Sequence, residues 1–164
     1  MKEQQTNEKE VIEVDYIDRN NYKEYIGKTV KVTNDVYLSG LGLTKIPINF
    51  TEVGRDFDCS DNNLTSLEGA PKEVGWYFIC SNNILTTLVG GPVKVGANFL
   101  CSWNQLTSLE GAPKIVGKSF YCSYNQLTSL KGAPKEVGRN FICLNNPLKS
   151  TKGKPESIGG EFAY

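Results

Sequence analysis

The chain has 164 residues, with 18 basic side chains balanced by 18 acidic ones and no histidine. This length predicts one domain, and the balanced charge gives no overall attraction for nucleic acid. The first ten residues, MKEQQTNEKE, lack the apolar region of a secretory signal. They are polar throughout, so residues 1–10 are predicted to be a disordered tail. No apolar run approaches the roughly 20 residues that a transmembrane helix needs.

Residues 11–31 differ from everything that follows and predict an N-terminal cap. Ile12, Val14 and Tyr16 alternate with polar residues, as in a half-buried strand. The segment NNYKEYIG favours one or two helical turns that begin at an asparagine cap and end at Gly27. The GKT that follows lacks the second glycine of a phosphate-binding loop, so nucleotide binding is not expected.

From residue 32 to 164 the sequence repeats every 21 residues, approximately as V-G-x-x-F-x-C-S-x-N-x-L-T-S-L-x-G-A-P-K-x. A fixed period of this size predicts a solenoid of stacked coils. Within a coil, F-x-C-S alternates as a strand does, while glycine and proline in the return segment argue against a helix there. Coils that wind in one sense stack their strands in parallel. The sequence therefore predicts a mainly β, right-handed parallel-sheet solenoid with an extended or 3₁₀ return.

The first and last coils depart from the repeat. In the first, Val36 and Leu38 take the phenylalanine and cysteine positions. At the other end, Ile158 begins a further coil whose strand includes Phe162. An unpaired edge strand invites pairing with another chain, so weak self-association through this C-terminal strand is predicted.

One asparagine follows each cysteine by three residues, where the strand turns. A side-chain amide at this point can satisfy backbone groups that the turn leaves unpaired. A single such residue is compatible with an exposed loop, but recurrence at a fixed period favours a structural ladder. The column comprises Asn62, Asn83, Asn104, Asn125 and Asn146.

The five cysteines also form one column, comprising Cys59, Cys80, Cys101, Cys122 and Cys143. Their number is odd, and neighbouring strands about 4.8 Å apart are wider than the roughly 3.8 Å between the Cβ atoms of a disulfide. Zinc sites use close cysteine pairs, usually with histidine. The cysteines are therefore predicted to be reduced, small core residues, which indicates a cytoplasmic setting. No metal and no cofactor are predicted.

The unit F-x-C-S-x-N-x-L resembles the L-x-L-x-x-N-x-L core of leucine-rich repeats, with phenylalanine and cysteine at two leucine positions. It is similar to the short cysteine- and proline-containing repeats of uncharacterised bacterial and bacteriophage proteins. The resemblance covers residues 32–164 and implies protein binding without a shared catalytic set. Two departures are Gly54 and its equivalents at the leading leucine position and a coil too short for a helix.

The columns predicted to face solvent are the informative ones. The column between phenylalanine and cysteine is acidic at Asp58 and apolar afterwards, and aromatic residues flank it. Contiguous exposed apolar surface of this kind is typical of an interaction site. The predicted partner-binding residues are Tyr77, Ile79, Leu100, Trp103, Tyr121, Tyr124 and Ile142.

This pattern predicts a non-enzymatic module that binds a protein partner, as an inhibitor or adaptor. A second interpretation is that the same side chains only stabilise the sheet through cross-strand pairs. A third is that the aromatic residues stack on single-stranded nucleic acid, which Asp56, Asp58 and Asp61 on the same face disfavour. No catalytic acid–base pair can be identified in the sequence, so an enzymatic function is not expected.

Overall fold

A computed structural model describes residues 10–164, so the predicted disordered tail, apart from Glu10, lies outside the described residues. The protein is mainly β, as predicted. Its strands are β1 (Val11–Val14), β2 (Thr29–Val32), β3 (Val36–Tyr37), β4 (Asn49–Val53), β5 (Phe57–Asp58), β6 (Glu73–Val74), β7 (Phe78–Ile79), β8 (Lys94–Val95), β9 (Phe99–Leu100), β10 (Ile115–Val116), β11 (Phe120–Tyr121), β12 (Glu136–Val137), β13 (Phe141–Ile142), β14 (Ser157–Ile158) and β15 (Phe162–Ala163). One short 3₁₀ helix spans Tyr22–Tyr25.

The strands form two parallel sheets that run the length of the solenoid. Within residues 10–164, sheet A has eight strands in the order β1-β2-β4-β6-β8-β10-β12-β14, and sheet B has seven, from β3 to β15 through the odd-numbered strands. Equivalent residues of successive coils pair directly, as Phe57 does with Phe78 and Val74 with Val95. The predicted parallel solenoid with a 21-residue coil is therefore confirmed.

Each full coil contains one strand more than the repeat pattern predicts. The predicted F-x-C-S strand belongs to sheet B, and beyond its two-residue core the Cys59 N–H still bonds the carbonyl of Ile79. The return segment, expected to be extended or 3₁₀, ends in a second strand that contains Val74 and belongs to sheet A. A two-residue strand is too short to produce a visible alternation, which explains why the sequence did not reveal it.

The segment predicted as a cap supplies a further strand to sheet A. Strand β1 pairs with β2 in parallel from Val11 with Thr29 to Val14 with Val32, so the predicted boundary at residue 31 falls within β2. The predicted helical turn is present as the 3₁₀ helix. The predicted capping bond is absent, because the Asn21 side chain accepts a hydrogen bond from the Asp18 N–H instead.

The core lies between the two sheets and consists of equivalent residues in successive coils. In the four coils that begin at Val53, Val74, Val95 and Val116, the phenylalanine, cysteine and two leucines are buried together with the valine. In the next coil Leu148 is partly buried and Thr151 stands at the second leucine position. The phenylalanine rings stack along the solenoid, with centroids 5.3 Å apart for Phe57 and Phe78 and 5.0 Å for Phe99 and Phe120. Burying one such side chain contributes about 1.5–3 kcal/mol, and the stacking links each coil to the next.

Glycine at the corner between the sheets allows the coils to approach closely. A Cβ atom at Gly75 would overlap the carbonyl oxygen of Gly54, and the same holds for Gly96 above Gly75. Any larger residue would push neighbouring coils apart and break the pairing on both sides. This close approach explains why glycine stands where the resembling repeats have their leading leucine.

The asparagine ladder is confirmed. In the middle coil, the Asn104 amide donates to the carbonyls of Cys80, Cys101 and Ser102, and its oxygen accepts a hydrogen bond from the Leu85 N–H. The bonds join each coil to the preceding one. Separately, no helix within residues 10–164 is long and apolar enough to cross a membrane.

Candidate interaction surface

The outward face of sheet B carries a continuous row of apolar side chains. Because side chains alternate along a strand, the residue between the buried phenylalanine and cysteine points outwards. Because equivalent residues of successive coils pair directly, the outward residues of β7, β9, β11 and β13 lie in one line, as the 21-residue spacing predicts. Each of these four side chains is half-buried. This apolar row comprises Ile79, Leu100, Tyr121 and Ile142.

Two large aromatic residues lie beside the apolar row at the turn that follows each strand. Trp103 and Tyr124 are 55% and 43% exposed, and their rings stack with centroids 3.8 Å apart and planes 8° from parallel. Both residues have left-handed backbone conformations, with φ of 58° and 56°. The other coils place glycine, aspartate or asparagine here, at Gly40, Asp61, Asn82 and Asn145.

The backbone conformation makes this aromatic pair unusual. Positive φ is tolerated by glycine, asparagine and aspartate but costs about 1–2 kcal/mol for a bulky side chain. Such strain is concentrated at functional sites, where another requirement outweighs it. The two residues were predicted as binding residues from their aromatic character, but their positive φ angles were not predicted. Glycine, aspartate and asparagine at the same position of the other coils were the available indication of a left-handed conformation.

Tyr77 interrupts a second hydrogen-bonded ladder, which the sequence analysis did not identify. At the residue before each phenylalanine, a polar side chain accepts a hydrogen bond from the backbone N–H one coil later. Asp56 does so for Tyr77 at 3.0 Å, and Asn98 does so for Ser119 at 2.9 Å. The tyrosine offers no equivalent acceptor to Asn98. Tyr77 is half-buried on the same face as Ile79. It therefore extends the apolar surface, and the ladder lacks the hydrogen bond that an acceptor at this position would receive from the Asn98 N–H.

Sheet A presents a different outward face. Its outward side chains include Glu52, Glu73 and Lys94, and ion pairs join Lys31 to Glu52 at 3.5 Å and Lys94 to Glu73 at 3.9 Å. These pairs are well exposed, and such pairs contribute little to stability. The column that contains these residues also includes Ile115, which is 50% exposed, but it is otherwise mostly charged, unlike the apolar row of sheet B.

The apolar row is bounded on its N-terminal side by carboxylates, which we call the acidic end. The acidic end comprises Asp35, Asp56, Asp58 and Asp61. Among the described residues, none of the four lies in an ion pair. Nearby, partial burial and then the charges of Asp35 and Asp56 raise the pKa of Tyr37, which indicates a negative potential on this part of the surface.

Trp76, which the repeat pattern did not single out, lies at the corner between the sheets. Trp76 is 51% exposed, and the Arg55 guanidinium lies 5.1 Å from its ring. Its column otherwise holds residues such as Arg55, Ala97 and Lys118. The single aromatic residue in that column was the available signal.

The cysteine column is fully buried, and all five thiols are free. Burial raises the pKa of Cys59, Cys80 and Cys101, so these thiols stay protonated near neutral pH. Cys143 differs, because a hydrogen bond from the Cys122 thiol lowers its pKa. Within residues 10–164, no three histidine, cysteine or acidic side chains are grouped to hold a metal ion.

Comparisons with known proteins add no family to this description. No family model matches the chain, and no significant match was found among curated proteins or solved structures.

Proposed function

We propose that the protein is a non-enzymatic binding module that grips a protein partner on the outward face of sheet B, as an inhibitor or adaptor. The contrast between the two sheets carries this proposal. Sheet A has charge pairs across its strands, whereas sheet B has four apolar residues in succession. Few charges combined with aromatic residues is the composition of an interface core.

The positions of the aromatic residues support binding over sheet stabilisation. A residue selected only for stability would not occupy a conformation that costs free energy, as Trp103 and Tyr124 do. Nor would it break a ladder, as Tyr77 does. Local rules broken on one face of an otherwise regular fold are typical of a functional surface.

Single-stranded nucleic acid is the less favoured partner. Trp103 and Tyr124 stack on each other, so each ring has one face already covered. A chain of bases needs open ring faces and a positively charged groove. Here the adjoining surface carries the carboxylates of the acidic end, which repel phosphate.

We place the module in the cytoplasm, because five free thiols persist best in a reducing compartment. The resemblance to short leucine-rich repeats of bacteria and bacteriophages supports a binding role, since that family acts mainly through protein contacts.

The test is capture of partners from a lysate by the wild-type protein and by the double variant Leu100→Glu/Tyr121→Lys, with and without nuclease. Both substituted side chains point outwards from adjacent strands, so the variant should fold and lose its partner. The matched control, Glu73→Lys/Lys94→Glu, exchanges charges on sheet A and should retain binding.

Circular dichroism melts of both variants separate binding from folding. A folded double variant that still captures the same protein would move the binding site elsewhere. An unfolded double variant would show that the apolar row serves the sheet. Capture that disappears after nuclease treatment would identify nucleic acid as the partner.

A further inference from the structure

We infer that the partner is a polypeptide with a basic end, which lays apolar side chains on the apolar row and a lysine or arginine against the acidic end. This inference rests on the proposed function and adds the chemistry of the partner and its direction along the solenoid. The observations that carry it are the continuity of the two surfaces and the concentration of carboxylates at one end.

The acidic end and the apolar row are one continuous surface. Asp58 pairs directly with Ile79 in the neighbouring strand, so the carboxylate is the next member of the row, about 4.8 Å from the first apolar side chain. Asp56 lies on the same outward face, two residues before Asp58. A partner that covers the apolar row therefore reaches these carboxylates at its end.

The second ladder does not require negative charge at Asp35 and Asp56. Asp35 and Asp56 each accept one backbone hydrogen bond in the second ladder. In later coils the uncharged Asn98 and Asn140 accept the same bond. Asparagine would therefore serve the ladder equally well, and charge is an additional property of this end.

Charge here also opposes folding. Asp35 and Asp56 occupy equivalent positions in adjacent coils, with Asp58 two residues further along the same face. Like charges on neighbouring strands destabilise a sheet, and no cation within the described residues pairs with them. The nearby Arg55 lies over the Trp76 ring instead. A cation from a partner would relieve the repulsion.

Within the described residues, the opposite end of the row carries one carboxylate on this face, Glu161, in the column of Asp35 and Asp56, compared with four at the acidic end. Beyond Ile142 the next member of the row is Ala163, and the neighbouring Leu144 is 43% exposed. Complementary charge at one end fixes orientation and raises the association rate more than it raises affinity. A partner is thus bound in a single direction, with its cationic end over β5.

The inference is tested with a phage-displayed library of random linear peptides selected on the wild-type protein. Counter-selection against Leu100→Glu/Tyr121→Lys removes peptides that bind elsewhere. The peptides that remain should combine apolar residues with lysine or arginine at one end. The most enriched one is then synthesised and its Kd measured.

Two isosteric double variants of the protein isolate the effect of charge. Asp56→Asn/Asp58→Asn keeps the hydrogen-bond acceptors and should raise the Kd of the peptide about tenfold. Binding of the peptide to the wild-type protein should also be weaker at about 500 mM NaCl than at about 50 mM. Glu52→Gln/Glu73→Gln removes the same charge from sheet A and should leave the Kd unchanged.

The outcomes distinguish the inference from the proposed function. Peptides that depend on the apolar row but lack basic residues would contradict the inference of a basic partner. So would a peptide that binds the Asp56→Asn/Asp58→Asn and Glu52→Gln/Glu73→Gln variants with equal Kd. Either result would still support binding on the outward face of sheet B. A library that yields no row-dependent peptide would contradict both.

Discussion

The left-handed turn residues show one position of the repeat at which bulky side chains are present at a cost in stability. In most coils this position holds glycine, aspartate or asparagine, whereas Trp103 and Tyr124 force a bulky ring into the same backbone conformation. Stacking of the two rings stabilises the protein by about 0.5–1.5 kcal/mol. This is comparable to the free-energy cost of a positive φ at only one of the two residues. The pair is therefore a net cost to the isolated protein.

The double variant Trp103→Asn/Tyr124→Asn should raise the free energy of unfolding by about 1 kcal/mol, because asparagine relieves the left-handed strain. Urea denaturation measures this, and Trp76→Asn, at a position without positive φ, serves as the control and should bring no gain. The same variant should lose partner binding. A clear loss of stability in the double variant would mean that the pair is structural.

Asn104 shows the reverse case, in which a polar side chain is required for folding. Asn104→Ala removes the partners of several buried backbone groups at once and should cost about 1–3 kcal/mol. The exposed Asn63, whose side chain makes no hydrogen bond within the described part of the chain, is the matched control, and Asn63→Ala should be nearly neutral. Chemical denaturation curves that coincide for wild type and Asn104→Ala would refute the ladder's role.

At the scale of elements, each coil adds two short strands that are stabilised mainly by their neighbours. A two-residue strand has no stability alone, so the buried columns of phenylalanine, cysteine, leucine and valine join the coils. Stability in such an array is a sum of coil and interface contributions. A substitution in one column therefore affects the coils on both sides.

The cysteine column permits a direct test of this packing. Burial raises the pKa of Cys59, Cys80 and Cys101, so at about pH 8, where an ordinary thiol is partly ionised, these remain protonated and slow to react with a thiol reagent. Labelling should accelerate on unfolding, and raising the pH within the folded range should have little effect on these three. Fast labelling of several thiols in the folded protein would contradict the buried column.

The sequence predicted those elements that show either alternation along a strand or recurrence of one residue type from coil to coil. The strand around Phe57 and Cys59 and the asparagine column follow from alternation and spacing, and the apolar row follows from both. The Glu73–Val74 strand did not, because two residues carry no period. The second ladder was hidden because aspartate, asparagine and serine alternate as acceptors in one column. The unusual conformation of Trp103 depends on a backbone angle that its own residue type argues against.

For the whole molecule, the charges are distributed unevenly along the solenoid. Residues 10–69 contain eleven acidic and six basic side chains, whereas residues 106–164 contain four acidic and eight basic ones. The balanced total therefore conceals an acidic half and a basic half. Opposite ends of two copies attract each other at low ionic strength.

The 164-residue chain should self-associate weakly at high concentration, through the strand around Phe162. Within the described residues, β15 pairs on one side only, and the Phe162 ring is tilted 46° from the otherwise regular stack. Light scattering over a concentration series should show a rising average mass that falls again with added salt. A constant monomer mass at every accessible concentration would rule the association out.

The spacing of the coils also determines how long a helical partner can stay in step with the apolar row. Coils repeat about every 4.8 Å, and an α-helix repeats one face about every 5.4 Å. The turns of a helix that lies along the row would be displaced from the coils by about 0.6 Å more at each successive coil. From Ile79 to Ile142 this adds to less than 2 Å, roughly the reach of a side-chain rotamer change. The row ends, at Asp58 on one side and Ala163 on the other, before the two repeats drift out of register.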